Sequence, residues 1–308
     1  MKKVFIDGSV GTTGLRIYER LLGRDDVEIL SLPEDKRKDV SARKEMLNSV
    51  DIAFLCLPDD AAREAVSLID NQEVTVIDAS TAHRTLPDWA YGFPELSASH
   101  EEKILSSKRI AVPGCHASGF IALVYPLIEA GILEKDALLT CHSVTGYSGG
   151  GKKMIAEYEG EERSFLLDAP RQYALSQQHK HLKEMKAVTG LDTAPMFSPI
   201  VGDFYSGMTV TVPLFACQVK GGADAVKAAY KAKYNGEIVQ YVDEIGENGF
   251  ISGNDMHSKD GMKITVQGNE ERILLVACYD NLGKGASGAA VECMNMALGV
   301  DKKKGLEL

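Results

Sequence analysis

Residues 4–14, VFIDGSVGTTG, decide the fold. Val4-Phe5-Ile6 predicts a short β-strand, and the glycine-rich run Gly8–Gly14 follows it at once. From Leu15 to Leu22 the apolar residues recur at helical spacing. Glycines between a strand and a helix let the backbone approach a pyrophosphate, which the helix N-terminus then neutralises. A dinucleotide site is therefore predicted here, with a plain tight turn as the alternative.

Alternating strands and helices continue through the first third of the chain. Further strands are predicted at residues 27–32, 51–57, 74–77 and 110–112, and a helix at 60–69. Strands that alternate with helices favour a parallel sheet covered on both faces. We therefore predict an α/β fold with a Rossmann-type doubly wound parallel sheet.

The pattern changes after Tyr125-Pro126. Strong β-formers fill residues 137–145, 210–219 and 264–277, with Gly268-Asn269-Glu270 as a hairpin turn. These runs predict a second, α+β domain that contains an antiparallel sheet. A glycine-rich turn and the apolar helix after it could return the chain to the first domain. The expected boundaries are 1–114 plus 286–308 for the nucleotide-binding domain and 115–285 for the second domain.

The end of the second predicted strand indicates which dinucleotide is bound. A site that prefers NAD usually has an acidic residue there, but this strand ends at Ser31-Leu32-Pro33 and basic residues follow. This favours the 2′-phosphate of NADP, with Arg37 as the first choice for the contact and Lys38 as the second; a solvated charged loop is the alternative. The expected cofactor-binding residues are Gly8, Gly11, Thr12, Gly14, Ser31, Arg37, Ser80 and Asn281.

Cys115 is the expected nucleophile. It lies in AVPGCHASG (residues 111–119), where Pro113-Gly114 marks a turn and the apolar run after it predicts a helix. The unpaired N–H groups and the positive dipole end of a helix N-terminus stabilise a thiolate and an adjacent oxyanion. A buried structural cysteine that opens a core helix is the alternative.

Two histidines and a glycine-rich loop add candidate groups. His179 and His181 lie together in a polar setting and could exchange a proton with a thiol. No third ligand accompanies them, so no metal site is expected. Residues 146–153 read as a flexible loop with two cations, which either cradles an anion or is a simple long turn.

Composition limits the class of protein. The 308 residues carry a formal net charge of −10, which argues against a nucleic-acid or membrane-surface partner. The six cysteines form no CxxC pair, and no apolar run is long enough to span a membrane. A cytoplasmic enzyme with reduced thiols is expected.

Taken together in this order, the motifs resemble those of the shorter form of the N-acetyl-gamma-glutamyl-phosphate reductase family. The resemblance covers nearly the whole chain, through Gly8–Gly14, Tyr91–Leu96, Pro113–Cys115, Ser148–Lys152, His179–His181 and Asn281–Gly288. Longer members have an aromatic residue after the cysteine, where this chain has His116. They also have His-Arg-His-x-Pro-Glu where this chain has HKHLKE (residues 179–184). The choice between His179 and His181 therefore stays open, with His179 preferred.

The resemblance implies NADPH-dependent reductive dephosphorylation of N-acetyl-glutamyl 5-phosphate to the 5-semialdehyde, a step of arginine biosynthesis, by a homo-oligomer (dimer or tetramer). Cys115 takes the position of the family's nucleophile and His179 that of its acid/base. Arg84 and Lys152 are candidates for the substrate's carboxylate and phosphate, with a surface salt bridge as the alternative for each.

Three other functions compete with this one. An aspartate-semialdehyde dehydrogenase or a reductase of a carrier-linked lysine precursor would share the thioester chemistry. A carrier-linked substrate would favour a basic docking patch, which the net charge does not suggest. A non-catalytic NADP sensor would share the glycine turn but would not need an activated cysteine.

Overall fold

A computed structural model describes all 308 residues, which divide into two compact units. The first comprises Met1–Pro113 with Ala286–Leu306, and the second Gly114–Gly285 with Glu307–Leu308. No helix is both long and apolar enough to cross a bilayer.

The first unit contains a six-stranded sheet in which every pair of neighbouring strands is parallel. Its strands are β1 (Lys2–Asp7), β2 (Val27–Leu30), β3 (Ile52–Leu55), β4 (Thr75–Asp78), β5 (Ala90–Tyr91) and β6 (Arg109–Ala111), in the order β2-β1-β3-β4-β6-β5. Its helices are α1 (Thr12–Leu21), α2 (Val40–Ser49), α3 (Asp59–Ser67), α4 (Ala98–Ser106) and, from the C-terminal segment, α9 (Gly288–Ala297).

Both faces of this sheet are buried. Val4 and Ile6 of β1 belong to an apolar cluster that includes residues of α1, α4 and α9, whereas Phe5 belongs to a cluster with residues of α2 and α3. Successive side chains of a strand point to opposite faces, so helices cover the sheet on both sides. The predicted Rossmann-type doubly wound sheet is confirmed.

The second unit contains a seven-stranded sheet. Its strands are β7 (Thr140–Gly146), β8 (Arg171–Gln172), β9 (Met196–Gly202), β10 (Met208–Phe215), β11 (Val239–Tyr241), β12 (Met262–Gly268) and β13 (Arg272–Tyr279), in the order β11-β12-β13-β10-β7-β9-β8. Its helices are α5 (Cys115–Glu129), α6 (Gly151–Glu159), α7 (His181–Thr189) and α8 (Gly222–Lys233). The predicted α+β domain is confirmed, but the sheet is mixed, because β7 pairs parallel with β9 and β11 with β12.

The expectation of a flexible loop at residues 146–153 is wrong. A 3₁₀ turn spans Tyr147–Gly150, and α6 begins at Gly151. The backbone N–H groups of Gly146, Tyr147 and Ser148 donate to carbonyls of residues 204–207, and the Tyr147 ring stacks on Tyr158. These long-range contacts order a segment whose glycine content alone predicts flexibility.

Candidate active site

The glycine turn of the first unit has the geometry of a phosphate cradle. Gly8 has a φ of +87°, and a Cβ there would lie 2.3 Å from the carbonyl oxygen of Cys56. A Cβ on Gly14 would lie 2.4 Å from the carbonyl oxygen of Gly8. Gly11 caps the N-terminus of α1, and the buried Oγ1 of Thr12 in its first turn has no hydrogen-bond partner. An open helix start with a buried unsatisfied hydroxyl fits a bound pyrophosphate.

A cleft of about 580 Å³ adjoins this turn. It is lined by Gly8, by Ser31 at the end of β2, and by Arg37 and Lys38 in the loop beyond. Both basic side chains are exposed. Three residues expected to contact the cofactor, and the second-choice Lys38, thus line one cavity, whose size suits part of a dinucleotide.

Two other predicted residues of this unit are engaged in internal hydrogen bonds. The Ser80 hydroxyl donates to Oδ2 of the fully buried Asp78, 2.7 Å away. Arg84 is 8% exposed, and its Nε and one Nη donate to the carbonyls of Val112 and Ala79 at 2.8 and 3.0 Å. These bonds fix the ends of β4 and β6, so contact of either residue with a ligand stays a prediction.

Cys115 is the first residue of α5, as the sequence predicts. Its side chain is half-buried, and none of the six cysteines forms a disulfide. The N–H of the preceding Gly114 donates to Oε1 of the buried Glu184 on α7 at 2.8 Å. The first turn of α5 is thus fixed by a carboxylate from the element that also contains His181.

His116 is enclosed by other side chains. Its Nδ1 lies 2.6 Å from the Ser143 hydroxyl and its Nε2 2.6 Å from the Tyr173 hydroxyl. The rings of His179 and His181 are each centred 5.7 Å from its own. Burial and the neighbouring His179 lower the pKa of His116 to about 3, so its imidazole is neutral at physiological pH. A neutral ring donates from one nitrogen and accepts at the other, which fits these two hydroxyls.

The two candidate acid/base histidines differ in exposure. His181 is 5% exposed at the start of α7, whereas His179 is half-buried just before it. The backbone N–H of His181 donates to Nδ1 of His179 at 3.2 Å. In this arrangement Nδ1 is the accepting nitrogen of a neutral His179, and the ring proton is on Nε2.

Lys152 and Asn281 lie elsewhere in this unit. Lys152 is exposed in the first turn of α6. Asn281 is buried, and its amide accepts from Gly207 N at 2.9 Å and donates to the Ser148 hydroxyl at 3.0 Å. Its amide joins three loops of the second unit, and its expected contact with the cofactor stays a prediction.

Sequence reasoning missed Glu184, Ser143, Tyr173 and Tyr279 as site residues. Glu184 follows the two histidines in the motif HKHLKE, which could have drawn attention to it. The others lie 27 to 164 residues from their partners, and no local pattern in the sequence marks them.

The neutral His116 predicts a pH dependence of stability. The unfolded imidazole binds a proton below pH 6.5 and the folded one only below about 3, so between these values the unfolded state binds one more proton. The free energy of unfolding should therefore fall as pH decreases through this window, by about 1.4 kcal/mol more per pH unit than in His116→Gln. Urea unfolding at several pH values measures both slopes, and parallel curves would contradict a neutral His116.

Comparison with protein families matches both units. The semialdehyde dehydrogenase NAD-binding domain matches residues 3–104, and the semialdehyde dehydrogenase dimerisation domain matches residues 115–281. Among solved structures, aspartate semialdehyde dehydrogenase II from Vibrio cholerae aligns with a TM-score of 0.70 at 16% identity, covering 97% of this chain and 98% of that one. The Francisella tularensis enzyme gives 0.72 at 13% identity, covering 96% and 99%. At such identities the likeness shows the fold alone.

Curated relatives are much closer in sequence. N-acetyl-gamma-glutamyl-phosphate reductase 2 from Nostoc sp. is 44% identical over 318 residues, covering 99% of both chains. The N-acetyl-gamma-glutamyl-phosphate reductase from Sinorhizobium medicae is 46% identical over 305 residues, covering 96% of this chain and 98% of its own. The chain therefore belongs to the N-acetyl-gamma-glutamyl-phosphate reductase family.

Proposed function

We propose that this protein reduces N-acetyl-L-glutamyl 5-phosphate to N-acetyl-L-glutamate 5-semialdehyde with NADPH, releasing phosphate, as a step of arginine biosynthesis. The proposal rests on one observation in a chain 44% identical to a reductase of that name: Cys115 is the first residue of α5, and the next residue, His116, clusters with His179 and His181.

The reaction begins with the Cys115 thiolate attacking the acyl carbon of the substrate. N–H groups of the first turn of α5 stabilise the oxyanion, and phosphate leaves as the thioester forms. When bound at the glycine turn of the first unit, NADPH supplies the hydride that reduces this thioester to a thiohemiacetal. Cys115 then departs as the thiohemiacetal collapses to the aldehyde.

Proton transfers in this scheme belong to His179. It takes the proton from the Cys115 thiol, gives it to the substrate oxygen when hydride addition forms the thiohemiacetal, and takes it back when the thiohemiacetal collapses and the Cys115 thiolate leaves. The neutral, doubly hydrogen-bonded His116 acts as a positioning residue beside it. Arg84 and Lys152 remain the proposed contacts for the substrate's anionic groups.

Running the reaction in reverse tests this proposal. With N-acetyl-glutamate semialdehyde and NADP, steady-state NADPH formation should require inorganic phosphate in the wild type, because phosphate must displace the acyl group from the cysteine before the next turnover. In Cys115→Ala all NADPH formation should be abolished. Absorbance of NADPH measures it. Activity with aspartate semialdehyde but not with N-acetyl-glutamate semialdehyde would support the mechanism and change the assigned substrate. Inactivity with both aldehydes would reject the proposed function.

The assignment of the acid/base is tested by substituting each histidine. His179→Asn should lower kcat by about 10²- to 10⁴-fold, because the amide oxygen can still accept from the backbone of residue 181 but cannot transfer a proton. His181→Asn is the matched control, expected to have the smaller effect. A larger loss of kcat in His181→Asn than in His179→Asn would assign the acid/base role to His181.

Preference for NADP is assigned to Arg37. Arg37→Ala should raise the KM for NADPH about 10- to 100-fold, because it removes one charge-assisted hydrogen bond to the 2′-phosphate. The KM for NADH should stay the same, because NADH lacks the 2′-phosphate. Lys38→Ala is the matched variant, and an equal loss with both cofactors in Arg37→Ala would contradict the assignment.

A homo-oligomer is proposed through an exposed apolar surface of the second unit. Large apolar side chains contribute to it, namely Leu138 (75%), Met196 (65%), Phe215 (63%) and Leu274 (40%). Such a patch is typical of an interface, and this unit matches the dimerisation-domain family. Sedimentation should show a dimer or larger species that Phe215→Glu weakens, and a wild-type monomer would contradict the proposed oligomer.

The cytoplasmic location expected from the sequence stays a prediction.

A further inference from the structure

Three buried tyrosines donate hydrogen bonds to backbone carbonyls of α5. Their hydroxyls bind successive parts of the helix: Tyr279 the carbonyl of Cys115, Tyr234 that of Ala122 and Tyr230 that of Leu123. Tyr279 is the one that contacts the residue proposed as the nucleophile.

Tyr279 bridges two backbone groups of the first turn. Its hydroxyl donates to the Cys115 carbonyl at 2.5 Å and accepts from the Gly119 N–H at 3.0 Å. Residues 115 and 119 are four apart, so these are the groups that a regular α-helix pairs directly. The Tyr279 side chain is fully buried, and burial raises its pKa well above the usual range, which keeps the hydroxyl protonated and able to donate.

The surrounding residues leave little freedom for another arrangement. A Cβ on Gly119 would lie 2.7 Å from the Tyr279 hydroxyl oxygen, so the bridge depends on glycine at that position. A Cβ on Gly285 would lie 3.2 Å from Cβ of Cys115, so the π-helical turn after β13 passes directly beside the nucleophile. Small shifts of the first turn would therefore move the Cys115 side chain against its neighbours.

We propose that Tyr279 is a positioning residue for Cys115, because its hydroxyl sets the backbone of the first turn of α5 and thereby the place of the sulfur at the helix N-terminus. The proposal rests on the proposed role of Cys115 as nucleophile. Without the hydroxyl, Cys115 and Gly119 can approach each other directly, and the thiolate loses part of its alignment with the N–H groups that stabilise it.

Alkylation by iodoacetamide tests this without substrate or cofactor. Peptide mass spectrometry across a pH series follows each cysteine of the intact protein. The exposed Cys217 serves as the reference within the same molecule, and the buried Cys141 and Cys278 report any loss of fold. Tyr279→Phe is compared with Tyr234→Phe, which removes a buried hydroxyl bound to the same helix at 2.6 Å but away from Cys115.

In Tyr279→Phe, Cys115 should be alkylated more slowly relative to Cys217, and the midpoint of its pH profile should move to higher pH. In the reductase assay kcat should fall about 10- to 100-fold, with KM changed much less, as expected for a misplaced reactive group. Tyr234→Phe should match the wild type in all three measurements. A Cys115 profile and kcat in Tyr279→Phe equal to those of the wild type would overturn the proposal.

Other outcomes separate this proposal from the proposed function. If wild-type Cys115 reacts no faster than Cys217, its role as nucleophile fails, and this inference fails with it. If Cys141 or Cys278 becomes alkylated in Tyr279→Phe, that variant has lost its fold and is replaced by Gly119→Ala. The added methyl group of Gly119→Ala displaces the Tyr279 hydroxyl by direct contact. An unchanged pH profile of Cys115 alkylation in Gly119→Ala would overturn a specific positioning role of Tyr279. Alkylation of Cys141 and Cys278 in Gly119→Ala as well would also overturn it.

Discussion

The chemistry proposed for the second unit depends on how the first turn of α5 is held. Glu184 accepts the Gly114 N–H, Tyr279 bridges the Cys115 carbonyl and the Gly119 N–H, and the π-helical turn at Gly285 passes beside the cysteine. A helix N-terminus stabilises negative charge only within its first turn, so the position of the sulfur determines how strongly the thiolate is favoured. Packing from three parts of the chain fixes that position.

His116, next to the proposed nucleophile, has a different proposed role. Both nitrogens of His116 are occupied by hydroxyls, and burial lowers its pKa to about 3, so it cannot exchange protons near neutral pH. Proton exchange is the role proposed for His179, which is half-buried and accepts the backbone N–H of His181 at Nδ1. In the proposed mechanism, positioning and proton transfer therefore belong to different histidines of one cluster.

Local sequence signals predicted much of this arrangement. The glycine run of the first unit and the turn before Cys115 depend on residues adjacent in sequence, so both the parallel sheet and the place of Cys115 at the start of α5 were predictable. Contacts made over long sequence separations were not, which is why Tyr173 and Tyr279 escaped notice. The same cause explains the error at residues 146–153, where distant carbonyls order a glycine-rich segment.

The central claim is that Cys115 carries the acyl group. The wild type is mixed with N-acetyl-glutamate semialdehyde and NADP in the absence of phosphate. A burst of about one NADPH per active site should follow. The N-acetylglutamyl group should stay bound to Cys115, because without phosphate nothing displaces the thioester quickly. Rapid quenching and peptide mass spectrometry measure both. An acyl group on another residue, or a burst with Cys115 unmodified, would contradict the account.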